Sequence, residues 1–192
     1  MKINQGGINF KIYELDFLAK VTLSPEAHGS IKIPAIVEYE SKKYNVTEID
    51  MYAFMSNNHI TTVSIPTTLH KIWKFAFAQC EHLESIYFYT PDEMEPLITE
   101  IGEHAFECCE HLTKVSEIPS TLKYIGTRCF YNCGALTHVS IEGAIECEVG
   151  TDAFGGDDHN VKITTGNTSK IAGTGAEQFN GFLNGQSQTA QI

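Results

Sequence analysis

The feature that most constrains this chain is a short motif that recurs five times. Each copy follows the pattern Ile-Gly-x-x-Ala-Phe with some variation, and the five phenylalanines are Phe54, Phe77, Phe106, Phe130 and Phe154. Their spacings are 23, 29, 24 and 24 residues, so the period is near 24 with one insertion. A fixed period of this length predicts a solenoid, in which each repeat forms one coil and buries its apolar flank against its neighbours.

The second half of each repeat has the alternation of a strand with one buried face. Val63 and Ile65 alternate with Ser64, and Pro66 ends the run because proline lacks the N–H that a strand ladder needs. We therefore expect one strand per repeat, stacked as a parallel ladder. The Ala-Phe-x-x-Cys portion has apolar residues at short spacing, which predicts a single helical or 3₁₀ turn. Together these elements make an α/β repeat solenoid that is rich in β-structure.

The two ends of the chain differ from the repeats. Alternating runs at 10–15 and 19–23 predict an antiparallel N-terminal cap. The expected organisation is a β cap over 1–45, five repeats over 46–165 with the last one degenerate, and a C-terminal cap or flexible tail over 166–192. All three parts would belong to one structural domain.

These residues resemble the BspA-like leucine-rich repeats of bacterial and protist surface proteins. The resemblance covers about Ile31 to Ile163 and rests on the pattern L-x-x-I-x-I-P followed by I-G-x-x-A-F-x-x-C. Residues 30–34 and 39–47 also look like the strand and hairpin that open such proteins. The resemblance implies a right-handed leucine-rich-repeat superhelix, a secreted or cell-surface location, and adhesion to host extracellular-matrix or cell-surface proteins.

Composition excludes several other classes of partner. The chain has 24 acidic and 13 basic residues, a formal charge of −11, which repels nucleic acids and anionic lipid surfaces. No apolar run approaches the roughly 20 residues that a membrane span needs, so we expect no membrane insertion. Residues 1–10 have no apolar region of a secretory signal. A cytoplasmic location therefore stays open beside the secreted or surface one.

The reactive residues do not form a catalytic pattern. Cysteines and histidines recur in consecutive coils: Cys80, Cys109, Cys133, His82 and His111. They could bind zinc, but periodic inward cysteines are more often free buried thiols, with the histidines pointing outward. We expect Cys129 to be packed and Cys108 and Cys147 to be exposed. The Gly-Asp run at 155–160 lacks the spacing of known calcium loops and is interpreted as a turn. The chain is thus expected to be no enzyme and to hold no cofactor or metal.

One surface is a candidate for binding a protein. Residues expected to point outward from the strand ladder, with Trp73 added from the coil edge, are Thr62, Ser64, Ser85, Tyr87, Tyr89, Lys114, Ser116, His138, Ser140 and Trp73. Tyr87, with Tyr89, would be an anchor on this surface or an ordinary strand residue. Trp73 stands where three other repeats have glycine, and either lies exposed or packs over Tyr52 or Tyr124.

The sequence therefore favours a noncatalytic protein-binding or adhesion module. The acidic, proline-bounded insertion at 90–96 is placed at a binding edge of the solenoid. The alternative is a structural or self-associating surface element with no specific ligand, and the oligomeric state stays open.

Overall fold

A computed structural model describes residues 1–141, 146–156, 161–164 and 170–172. Its strands are β1 (Lys2–Gln5), β2 (Ile8–Tyr13), β3 (Leu18–Thr22), β4 (Gly29–Lys32), β5 (Ile36–Tyr39), β6 (Lys42–Ile49), β7 (Ile60–Pro66), β8 (Lys71–Ile72), β9 (Ser85–Tyr89), β10 (Glu100–Ile101), β11 (Lys114–Val115), β12 (Tyr124–Ile125), β13 (His138–Ser140), β14 (Glu146–Val149), β15 (Lys162–Thr164) and β16 (Lys170–Ala172). Within these residues there is no helix, and so none that is long and apolar enough to span a membrane.

Each repeat contributes two strands rather than the one that the sequence predicts. The long-strand ladder stacks β4, β7, β9 and β11 in parallel, and β13 and β15 form a further parallel pair. The isoleucine ladder stacks β6, β8, β10, β12, β14 and β16 in parallel. Strands β8, β10 and β12 of this ladder are each two residues long, which is too short for an alternating pattern in the sequence to predict them.

The five repeat phenylalanines form a single row through the core. Ring centroids of successive members lie 4.8, 5.0, 5.1 and 5.3 Å apart, and the rings are within 14° of parallel. None is more than 2% exposed. The row confirms the period read from the sequence, because only coils stacked in register bring residues 23 to 29 positions apart into repeated contact.

The segment around each phenylalanine is a series of overlapping β-turns, and the predicted helical or 3₁₀ turn is not confirmed in the described residues. In the second repeat Ala76 N–H donates to Trp73 O and Cys80 N–H to Phe77 O, both at 3.3 Å. Phe75 and Gln79, the third residue of each turn, have φ of 58° and 60°. A positive φ at this position defines a type II turn, whereas 3₁₀ residues all have negative φ.

The N-terminal cap is antiparallel, as predicted, and is continuous with the repeats. Strands β1, β2 and β3 pair antiparallel, and β3 then pairs in parallel with β6. Strands β5 and β6 form the predicted hairpin. The cap thereby covers the end of the isoleucine ladder with hydrogen-bonded strands, whereas β4 is an edge strand of the long-strand ladder.

At the other end, β16 continues the isoleucine ladder inside the segment 166–192. The rest of that predicted cap or tail, and positions 157–160 of the Gly-Asp run, lie outside the described residues. The division into cap, repeats and tail, and the handedness of the superhelix, stay predictions.

Candidate functional site

The outer face of the long-strand ladder carries most of the predicted binding residues in register. Thr62 lies opposite Ser85, which lies opposite Lys114, and Ser64 lies opposite Tyr87. All five side chains are partly or fully exposed. The residues between them in the strands point inward and are buried, so alternation assigned the two faces correctly here.

Tyr87 is the largest side chain at the centre of this face. The Nζ of Lys114 lies 4.9 Å from the centre of its ring, close enough for a cation–π contact. The neighbouring Ser116 is partly structural, since its Oγ accepts the Phe88 N–H at 2.7 Å. Tyr87 and Lys114 therefore form a preformed aromatic and cationic pair on a small, polar background.

His138 and Ser140 extend the face, although their strand belongs to a separate sheet. Strand β13 pairs with β15, and the His138 Nε2 lies 3.5 Å from the Thr164 Oγ1. The two sheets are linked because the Ile118 N–H donates to the Ser140 carbonyl at 2.8 Å. The face is therefore continuous in space with one interruption in the strand ladder.

Tyr89 is held by the cap instead of being a free anchor. Its hydroxyl donates to the Ile33 carbonyl at 2.7 Å, and the Nζ of Lys32 lies 4.4 Å from its ring centre. Burial raises the pKa of the Tyr89 phenol. The side chain therefore joins the third coil to the first strand of the ladder and offers little surface to a partner.

Trp73 lies at the end of β8, on the isoleucine ladder, and so does not share the face of the other predicted residues. Its Nε1–H donates to the Glu48 Oε2 at 2.6 Å, and the Nζ of Lys71 lies 3.9 Å from its ring. Lys20 also contacts Glu48, at 2.7 Å. The Trp73 side chain is held by these charged neighbours. Tyr52, one of the two residues over which Trp73 was expected to pack, stacks on Phe75 instead, with the ring centroids 5.6 Å apart.

The electrostatics around Trp73 favour an ionised Glu48. Burial opposes ionisation, but hydrogen bonds from Lys20 and Trp73 outweigh it and lower the pKa of the Glu48 carboxyl. The Trp73 side chain and Tyr124 also line a shallow cavity of about 250 Å³ with Glu100 and Gly102. Trp73 is therefore a structural tether at the edge of a small depression.

The cysteines and histidines that could have bound zinc point in different directions. The thiols of Cys80, Cys109 and Cys133 donate to the carbonyls of Phe54, Phe77 and Phe106, the repeat phenylalanine of the preceding coil. His82 and His111 are exposed, and the Nδ1 of each lies 2.8 Å from a backbone carbonyl. The cysteines form an internal ladder and the histidines a surface one.

The thiols of the core are poor nucleophiles. Cys80 and Cys109 are free buried thiols as predicted, and burial raises the pKa of Cys80 to about 12. Cys129 is packed as predicted, and Cys108 is half-buried. The expectation that Cys147 is exposed is wrong, because Cys147 is a buried residue of β14, at 3% exposure.

A larger cavity lies beside the insertion and was not predicted as a cavity. It has a volume of about 340 Å³ and lies between the β5–β6 hairpin and residues 93–97. The unequal spacing of the repeats locates the insertion in the sequence, but it does not predict that the insertion forms one wall of a cavity. The structure thus offers two candidate surfaces, the outer face of the long-strand ladder and this cavity.

Comparisons with known proteins agree with the fold. The sequence model of the BspA type leucine rich repeat region matches residues 47–181 in six copies. A leucine rich cell surface protein from Faecalibacterium prausnitzii is 23% identical with a TM-score of 0.59, over 92% of this chain and 51% of that one. The T. pallidum leucine rich repeat protein is 20% identical with a TM-score of 0.62, over 92% and 66%. The pneumococcal vaccine antigen PcpA is 19% identical with a TM-score of 0.63, over 90% and 46%.

The chain therefore spans about half to two thirds of the length of these structures. No curated protein matches the sequence. At these identities the structural likeness shows the fold alone, whereas the repeat match covers more than half of the chain and agrees with the stacked coils described above. The chain belongs to the BspA-type leucine-rich repeat family.

Proposed function

We propose that this chain is a noncatalytic recognition module of a secreted or cell-surface leucine-rich repeat protein, and that it mediates adhesion to a host or cell-surface protein. The observation that supports this most directly is the row of exposed side chains on the long-strand ladder. Strand pairing holds Thr62, Ser85 and Lys114 side by side, and places Tyr87 next to Ser64.

The physical advantage of this surface is that it is ordered before a partner arrives. Neighbouring strands are about 4.8 Å apart, so side chains in the ladder keep a fixed spacing. Lys114 already rests on the Tyr87 ring. The side chains of this surface therefore lose less conformational entropy when a partner binds than those of a flexible segment would.

The family and the net charge suggest the kind of partner. One structure of similar fold is that of a leucine rich cell surface protein, which supports a surface location for this chain. The overall charge of −11 attracts proteins with basic regions at long range, as some extracellular-matrix and cell-surface proteins have. The outer face itself carries Lys32, Lys114 and Lys162, so the patch that contacts it should be acidic or neutral.

A capture experiment with surface variants tests the proposal. The chain would be immobilised and exposed to a panel of extracellular-matrix and cell-surface proteins, first unmodified and then with Tyr87→Ala. We expect Tyr87→Ala to weaken capture about tenfold, as loss of a central aromatic anchor does. Tyr13→Ala is the matched control, because Tyr13 is also half-buried beneath a lysine but lies in the cap.

The outcome is decided by the contrast between the two tyrosines. If both variants capture the same partner as strongly as the unmodified chain, the outer face of the long-strand ladder is not the binding surface. If both lose binding equally while their circular dichroism is unchanged, the effect is not specific to that face.

A structural, self-associating element is the second candidate, and the position of β1 favours it. Residues Lys2–Gln5 form the outermost strand of the ten-stranded sheet, and an edge strand can pair with another chain. Light scattering over a range of concentrations distinguishes the two functions. Oligomers that grow with concentration and disappear on Lys2→Pro, which removes an N–H that points away from β2, would support self-association.

A further inference from the structure

The outer face of the long-strand ladder is continued by β13 and β15, and this part of the face carries a row of basic side chains. Lys162 lies opposite His138 in the parallel pair of β13 and β15. The Ala135 N–H donates to the Glu110 carbonyl at 3.2 Å, which is the register that places His138 beside Lys114. All three basic side chains are exposed or half-exposed. We call Lys114, His138 and Lys162 the basic strip.

A row of hydroxyl groups runs beside the basic strip. Ser116, Ser140 and Thr164 each stand two residues after a member of the strip, and Ser140 lies opposite Thr164. Residues two positions apart in a strand point to the same side of a sheet. Three consecutive coils therefore each present one basic group and one hydroxyl. The Ser116 Oγ accepts the Phe88 N–H, which leaves its own O–H able to donate to a ligand.

The positive charge of the strip is not balanced by described carboxylates. On the isoleucine ladder, Lys71 pairs with Glu100 at 2.7 Å. Among the residues that the structure describes, neither Lys114 nor Lys162 makes such an ion pair. The acidic residue nearest to either lysine in the sequence, Glu117, is exposed beyond the end of β11. A chain with a net charge of −11 thus keeps a basic surface at this place.

The composition of the strip disfavours a protein segment as its occupant. The centre of a protein interface is apolar, and lysine is depleted there. The basic strip and the row of hydroxyls beside it contain no apolar side chain. The Tyr87 ring on the same face is already contacted by the Nζ of Lys114 at 4.9 Å. A ligand that is polar over its whole length has no apolar surface to bury, and it fits this face better.

The spacing of the strip also selects the occupant. Neighbouring strands are about 4.8 Å apart, so basic groups recur at that interval across the ladder. Side chains on one side of an extended peptide recur only every two residues, or about 6.7 Å. A sulfated polysaccharide carries anionic groups on consecutive sugar rings, and one ring is about as long as one strand spacing. Its sulfates therefore match the basic strip, and its ring hydroxyls match the row beside it.

We propose that the basic strip binds a sulfated polysaccharide that lies across β11, β13 and β15. Sulfate groups face Lys114 and Lys162, and sugar oxygens exchange hydrogen bonds with Ser140 and Thr164. Repulsion by the net charge of the chain is screened beyond about 8 Å at physiological salt, so the local positive charge governs the contact. The inference goes beyond the proposed function, because this ligand is not a protein and does not need Tyr87 as an anchor.

Three short probes test the strip directly. A heparin tetrasaccharide, the same tetrasaccharide with its sulfates removed, and an N-acetylated octaglutamate amide are titrated into the ¹⁵N-labelled full chain by NMR, at about 0.15 M NaCl. We expect the sulfated probe to bind at least fivefold more tightly than the desulfated one, because each exposed ion pair contributes up to about fivefold in affinity. Octaglutamate should bind more weakly than the sulfated probe. Shifted amides should be confined to residues 113–117, 137–141 and 161–164.

A double variant tests the lysines themselves. Lys114→Gln with Lys162→Gln removes two charges at similar side-chain length and should weaken binding of the sulfated probe at least fivefold, with circular dichroism unchanged. Lys42→Gln with Lys43→Gln is the matched control, because it alters the net charge equally at exposed positions of the β5–β6 hairpin, which belongs to the ten-stranded sheet. The control should weaken binding less than about twofold.

Octaglutamate binding as tight as that of the sulfated probe would overturn the choice of a polysaccharide and assign the strip to an acidic protein segment. Equal binding of the sulfated and desulfated probes would overturn the role of the sulfates. Absence of binding, or an equal loss in the two double variants, would overturn the proposal as a whole. The Tyr87→Ala capture experiment uses protein partners and another side chain, so failure of the strip and failure of the proposed function are separate outcomes.

Discussion

Replacing Gly126 by alanine tests whether the coils are as closely stacked as the structure shows. A Cβ atom on Gly126 would lie 2.3 Å from the Glu103 backbone N and 2.6 Å from the Glu103 Cα. Both atoms belong to the backbone of the preceding coil and cannot rotate away. A Cβ atom makes ordinary van der Waals contacts at 3.4 Å or more. The two coils would therefore have to move apart until the distances from the new Cβ to these backbone atoms reach that value.

The size of the effect follows from what the separation disturbs. Overpacking of a well-packed region costs about 1–3 kcal/mol. The Gly126 N–H also donates to the Ile101 carbonyl at 2.8 Å, and weakening a buried backbone hydrogen bond adds about 1 kcal/mol. We therefore expect Gly126→Ala to lower the free energy of unfolding by about 3 kcal/mol, which lowers Tm by roughly 6–12 °C for a chain of this size.

Gly134→Ala is the matched control for this substitution. The nearest atom to its added Cβ is the Glu110 carbonyl oxygen at 3.7 Å, an ordinary contact, and Gly134 does not adopt a positive φ. Alanine there should leave stability unchanged or raise it by about 0.4–1 kcal/mol, since the unfolded chain loses flexibility. Urea unfolding followed by circular dichroism measures both variants. A cost below about 1 kcal/mol for Gly126→Ala would refute the close approach of the coils.

Three further outcomes follow from the buried contacts. In native protein at pH 8, Cys80 should resist a thiol reagent while half-buried Cys108 reacts first, because burial raises the pKa of Cys80 to about 12; rapid labelling of Cys80 would contradict this. Phe106→Leu should cost about 1–3 kcal/mol through two lost ring stacks, measured by urea unfolding, and no loss would show that the row is not stabilising. Trp73→Phe removes the hydrogen bond to Glu48 and should cost about 1–2 kcal/mol at pH 7. Because the folded pKa of Glu48 is lowered, its contribution is present above the unfolded pKa and disappears as the pH falls below about 4. The difference between Trp73→Phe and the unmodified chain should therefore shrink in urea titrations at pH 3, and a constant difference would contradict the role of Glu48.

The period of the sequence was enough to predict the stacking of the coils and the row of phenylalanines. Alternation also assigned inward and outward positions in the long strands, as at Val63 and Ser64. These features depend on local pattern repeated many times, which is why one sequence can reveal them.

What the sequence did not reveal depends on backbone conformation and on distant contacts. Nothing in the side chain of Phe75 or His104 signals a positive φ, so the sequence does not distinguish type II turns from helical ones. The bond from Trp73 to Glu48 joins residues 25 positions apart. The cavity is formed by the cap and the insertion together, so it becomes visible only once both are in place.

The turns around the repeat phenylalanines have a consequence for how the sequence of such a protein can vary. The residue two positions before each repeat phenylalanine has a positive φ and is never buried, and in five coils it is tyrosine, phenylalanine, histidine, arginine or aspartate. One backbone shape thus accepts five different side chains at the same margin of the molecule, three of which, Tyr52, Phe75 and His104, stack on one another. Evolution, or a protein engineer, can vary this margin coil by coil without repacking the interior.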